Sequence, residues 1–208
     1  MGMRRYLPSI YWGAVFRFSK KRRVLNVRVG VFLPDDEIQT FERITSAIGV
    51  LQRFSPHHYA RLLDGVRILV IGRVGPWGEW HVHARMIQLR EDWVTRSETD
   101  PVHIAATIVH ELTHAKLDEG GVTYVELRRR RLEAMCYRAQ ARFVARMPGC
   151  EEVSDYYRER AAFVMNQSDD QWSDDAFRTR DLELLTELNT PAWMLAFLRR
   201  RAKKRSAV

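Results

Sequence analysis

His110, Glu111 and His114 are the residues whose types and spacing suit chemistry most directly, because His110-Glu111-Leu112-Thr113-His114 has the form H-E-x-x-H. Residues four apart share one face of a helix, so both imidazoles can reach one metal ion while Glu111 stands beside it. Zinc with two His and one acidic ligand keeps a coordination position for water, lowers that water's pKa to about 7 and polarises a carbonyl. Glu111 has no place in that shell and is expected to take the water's proton. The bland alternative is a chance match, and the surroundings argue against it. Ile104, Ala105, Ile108, Val109, Leu112, Ala115 and Leu117 give an apolar stripe at helical spacing, and Gly120-Gly121 supplies a stop. A helix buried on that stripe would carry two His and a Glu poorly unless they had a partner such as a metal.

The pentapeptide resembles the active-site helix of the zincin metallopeptidases. The metzincin branch extends the motif to H-E-x-x-H-x-x-G-x-x-H, but Leu117 and Gly120 occupy the Gly and last His positions here. The gluzincin branch takes a Glu from a second helix downstream, and the resemblance makes Glu133 that third ligand. Cys136 and Tyr137 stand where the thermolysin-like pattern carries Ser and Asp. The resemblance spans about 80–147. It implies an α+β, zincin-like fold: a small mixed twisted sheet packed on the active-site helix, then a mostly helical C-terminal part. It also implies bound Zn2+ and hydrolysis of peptide or amide bonds in a peptide or protein substrate.

The local sequence bears on the third ligand independently. Val122 to Met147 reads as a long helix with Val125, Leu132, Met135, Cys136, Ala139, Phe143 and Val144 apolar, which puts Glu133 in an inward-facing stripe. A lone carboxylate there is costly, and a metal removes the cost. An ion pair with Arg129 or Arg130 is the bland reading. Glu126, two turns earlier, and Asp118, four residues past His114, are the other candidate ligands.

The elements that must position these residues come before the motif. Val24 to Leu33, Val66 to Ile71 and Trp80 to Leu89 read as strands, and a helix from Asp36 to Phe54, continued to Leu63, crosses between the first two. The third strand looks like the edge with which an extended substrate would pair. His81 and His83 on it are candidate substrate contacts, against a reading as a solvated polar face. The segment 72–79 reads as a turn-rich loop rimming the cleft. Tyr124, Tyr137, Tyr156, Tyr157 and His103 are the candidate donors to a tetrahedral oxyanion, with Tyr124 also a candidate substrate contact.

Length and composition set the outer bounds. With 208 residues and 46% hydrophobic content the chain is expected to form one domain over 1–202, with sheet and motif helix at about 20–120, helices at about 122–202 and a basic tail at 203–208. Two cysteines make no disulfide framework, so a reducing, cytoplasmic compartment is expected. The apolar segment 9–16 is too short to span a bilayer and reads as a first strand or docked arm. Net charge +8 gathers at Lys20 to Arg23, Arg128 to Arg131 and Arg199 to Arg205. No zinc-finger or RNA-binding pattern accompanies those runs, so nucleic-acid binding is the alternative and a solvated basic surface the expectation. A zinc-binding, non-proteolytic interaction module is the rival from another class.

Overall fold

The computed structural model describes residues 14–32, 34–72, 76–122, 124–173, 176 and 179. Segments 9–13, 73–75, 180–202 and the basic tail 203–208 fall outside that set, and with them the later of the helices expected over 151–202. The elements are β1 (Lys20–Val24), β2 (Val27–Phe32), α1 (Glu37–Phe54), α2 (Pro56–Leu63), β3 (Arg67–Ile71), β4 (Gly78–His81), β5 (Met86–Arg90), the single turn α3 (Glu91–Val94), α4 (Pro101–Glu119), α5 (Glu126–Val144) and α6 (Glu151–Asn166). They make a mixed α+β fold around one five-stranded sheet of order β1-β2-β3-β5-β4. The inner pairs β2/β3 and β3/β5 are parallel, and the outer pairs β1/β2 and β5/β4 antiparallel.

Period-two alternation gives the sheet two apolar faces. Val29, Val31, Ile68, Val70, Ile87 and Leu89 belong to the main core with α1 and α4. Leu69 and Met86 point the other way, onto Val15, Phe16 and Ala84. Residues 14–18 are helical and pack on the sheet, so of the two readings of 9–16 this part is a docked arm and not a strand. Gly30 lets the arm approach, since a Cβ there would run into Phe16 and Ser19.

Three expectations are corrected by turns. The strand read from Val24 to Leu33 is β2 from Val27 on, and its hairpin partner β1 joins Val24 to the basic run Lys20 to Arg23. Leu25 and Asn26 at φ 44 and 63 make the two-residue turn between them. The strand read from Trp80 to Leu89 is really β4, a 3₁₀ turn at Val82–Ala84 and β5, with Arg85 left-handed at φ 46. The edge is therefore β4, whose first residues Gly78 and Glu79 lie in the segment read as loop. Asp36 caps α1 through Gln39 N, but the helix ends at Ser55 and Pro56 opens α2, so the two do not run on to Leu63 as one.

The basic runs are partly used within the fold. Lys20 and Arg22 both pair with Glu37, and Arg130 pairs with Asp169 at 3.1 Å. No helix among the described residues is long and apolar enough to cross a membrane.

Candidate metal centre

Helix α4 starts at Pro101 behind the N-cap Asp100, whose carboxylate accepts from Val102 N, and its middle from Ile104 to Leu112 is almost entirely buried. Burial on all sides is possible because α4 lies between the sheet and α5. Its polar residues therefore need partners, and the two sides provide different ones.

Toward α5, the rings of His110 and His114 lie with centroids 5.0 Å apart. The Glu133 carboxylate spans them, Oε2 at 3.1 Å from His110 Nε2 and Oε1 at 3.2 Å from His114 Nε2. Two neighbouring ligand atoms on a zinc tetrahedron stand about 3.4 Å apart, close to the distance of each Glu133 oxygen from its imidazole. The Sγ of Cys136, one turn after Glu133, lies near the two imidazoles. One ligand atom each from His110, His114 and Cys136 lies within 4.8 Å of the others, so this largely buried group could hold a metal ion. Expected candidates Glu126 and Asp118 are placed otherwise: Glu126 is the exposed first residue of α5, and Asp118 sits in the last turn of α4. Arg129 and Arg130 do not take Glu133 as an ion pair, since Arg129 donates to Trp172 O and Arg130 turns to Asp169.

Neighbours hold this group in place. His110 Nδ1 lies 2.9 Å from Gln140 Oε1, an acceptor, so Nδ1 carries a proton and Nε2 is directed at Glu133. Tyr124 donates its hydroxyl to Glu133 Oε1 at 2.6 Å and sets its ring edge-on to His114. Val125 is extended ahead of α5, so the helix begins at Glu126 instead of Val122, and Val125 and Met135 are exposed, against the expectation of an inward-facing stripe. Tyr137 lies edge-on to His110 with centroids 5.1 Å apart.

The electrostatics follow from this packing. Burial opposes charge on His110, yet the hydrogen bond and charge of Glu133, with Glu111 and Gln140 adding, carry its pKa up to about 9. Burial would raise Glu133, but hydrogen bonds from both imidazoles hold it well below the usual carboxylate range. Burial pushes the Cys136 thiol well above its ordinary value. These values belong to a site whose cation is a proton, and a divalent ion in its place would deprotonate the thiol and displace the imidazolium proton.

Toward the sheet, Glu111 faces β4. It is 5% exposed, and burial raises its pKa while the two imidazoles pull it down. Gly78 allows β4 to pass this close, because a Cβ there would meet Thr107 Cγ2 at 2.6 Å and Glu111 Oε1 at 3.0 Å. His81 and His83 are not drawn into the cluster. His81 pairs with Met86 on the sheet face away from α4 and its Nε2 lies 2.9 Å from Gln88 Oε1, while His83 is in the 3₁₀ turn. Of the other oxyanion candidates, His103 meets the Tyr157 hydroxyl at 2.9 Å and the Tyr156 ring, two turns up α4 from His110. Cys136 and Gln140 are the residues sequence reading did not place in the site. Their signal was their spacing, three and seven residues past Glu133 on the same helix face.

Comparisons of the chain with protein-family models, with curated proteins and with solved structures find no match.

Proposed function

We propose that this protein is a zinc-dependent hydrolase of peptide or amide bonds, with a zincin-like arrangement of the gluzincin kind. One observation carries the proposal: His110 and His114 meet the Glu133 carboxylate at 3.1 and 3.2 Å on one side of α4, while Glu111 is buried on the side turned to the edge strand. Zinc held by His110, His114 and Glu133 would polarise the scissile carbonyl and acidify a water.

The chain's own residues divide the remaining work. Glu111, its pKa raised by burial and drawn back down by the two imidazoles, takes the proton of the attacking water and passes it to the leaving nitrogen. Gln140 fixes the His110 tautomer and Tyr124 fixes the carboxylate, so the donors keep their aim. Among the described residues β4 is the edge strand beside Glu111, a position that suits an extended peptide added as a further strand. Two free thiols, Cys136 and Cys150, suit a reducing, cytoplasmic compartment.

A second reading is favoured by Cys136. A His110, His114 and Cys136 set is also what a structural zinc site would use, and such a site needs no general base. Glu111→Gln separates the two. The variant is expected to fold, to keep zinc and to lose about 10²–10⁴-fold in hydrolysis of a peptide found by mass-spectrometric screening of a mixed library. An unchanged rate with zinc bound would refute the hydrolase mechanism.

A further inference from the structure

The donor set contains one group more than an open hydrolytic centre needs. We infer that Cys136 is a fourth protein ligand of this metal, so that at rest His110, His114, Glu133 and Cys136 close the shell, and that the thiolate is the donor that gives way to water. The inference rests on the metal reading above and adds a means of regulating that site.

Three observations support it. Cys136 is fully buried, and its sulfur lies with one ligand atom each of His110 and His114 in a group whose atoms are within 4.8 Å of one another, while Glu133 meets the same two imidazoles at 3.1 and 3.2 Å. It stands one turn after Glu133 on α5, so both side chains reach the imidazoles from the same helix. The four donors are also unequally braced. Glu133 accepts from Tyr124 at 2.6 Å, His110 is held by Gln140 at 2.9 Å and the His114 ring is packed edge-on against Tyr124 with centroids 5.4 Å apart, while no hydrogen bond reaches Cys136 Sγ among the described residues. A ligand fixed by a second hydrogen bond keeps its orientation, and one without it rotates away most readily.

The proton balance is simple. When the metal–sulfur bond forms, the thiol releases its proton to solvent; when sulfur leaves, it takes a proton up and water enters the freed position. Two imidazoles, a thiolate and a carboxylate also select zinc over magnesium or calcium, which prefer all-oxygen shells.

The test is zinc-edge X-ray absorption on the zinc-loaded full chain. Wild type and Cys150→Ala are expected to show a sulfur at about 2.3 Å, and Cys136→Ala a shell of nitrogen and oxygen only. Cobalt(II)-substituted protein is then titrated with acetohydroxamate, which needs an open position. Cys136→Ala should bind it at least about 10-fold more tightly than wild type, because the closed fraction of wild type lowers its apparent affinity. Retained zinc with no sulfur in wild type overturns the inference, and equal acetohydroxamate affinity overturns the gating role. Zinc uptake no better than that of His110→Ala would instead defeat the metal reading itself. Should Cys136→Ala not fold, wild type and Cys150→Ala still decide, since the chain has two cysteines.

Discussion

Two histidines, His58 and His110, each one of a close pair on a different helix, are driven to opposite states of charge. His57 and His58 open α2, with centroids 3.9 Å apart; His110 and His114 lie in the middle of α4 with centroids 5.0 Å apart. Burial opposes protonation of His57, His58 and His110 alike. Around His58 nothing offsets it: His57, Arg146, Arg61 and Lys116 add repulsion, and its pKa falls to about 3. Around His110, Glu133 reverses the sign and its pKa rises to about 9. The difference is therefore in the field and not in the ring. A divalent cation would be repelled at the first pair and would find carboxylate, thiol and directed Nε2 atoms at the second.

The largest effect that can break this contrast is loss of the carboxylate. Glu133→Ala is expected to weaken zinc binding by more than the roughly 10–100-fold typical of a supporting residue, whereas His58→Ala leaves it unchanged, both measured by competition with a chelator. Equal losses in the two variants would show that the zinc is not where the imidazoles of α4 converge.

Gln140→Leu sharpens the contrast next. It removes the acceptor for His110 Nδ1–H while keeping Glu133 in place, so zinc affinity should fall by about 10–100-fold. An unaltered affinity would mean that the tautomer is not set by Gln140. Gly78→Ala probes the other side of α4. Its methyl would press on Thr107 and the Glu111 carboxylate, so it should cost about 1–3 kcal/mol of stability in denaturant unfolding and slow hydrolysis, with zinc binding little changed.

Much of the polar side of the site was legible in the sequence because its spacing is helical. His110 and His114 four apart, and Glu133 in an apolar stripe, have one packing solution once α4 and α5 lie side by side. Cys136 and Gln140 share that face, but both pass as ordinary core residues until a partner helix is known. The strands were misread for a specific local reason. Leu25, Asn26 and Arg85 are the non-glycine residues at positive φ among those described, and they form the turns that split β1 from β2 and help part β4 from β5. Without Gly or Pro, such turns leave an unbroken apolar pattern in the sequence. The consequence reached the site, because His81 and His83 looked like neighbours on one edge strand. In the fold one faces the sheet surface away from α4 and the other lies in a 3₁₀ turn.

The smallest expected effect is a change in the shape of the pH–stability curve. His58 has a folded pKa of about 3 against 6.5 for a free histidine. Between those values the unfolded chain binds a proton that the folded chain refuses, so stability falls as the pH drops from 6.5 toward 3, and above 6.5 the residue contributes no slope. Metal-free His110 acts in the opposite sense, since its raised pKa gives stability that is present below 6.5 and lost as the pH rises through about 9. His58→Gln should therefore flatten the acid limb of urea-unfolding stability measured on metal-free protein from pH 4 to 9, and leave the alkaline limb as it was. Saturating zinc should flatten the alkaline limb and leave the His58 contribution untouched, because a bound cation has replaced the proton at only one of the two pairs. If His58→Gln altered the alkaline limb instead, the assignment of opposite fields to the two histidine pairs would be wrong.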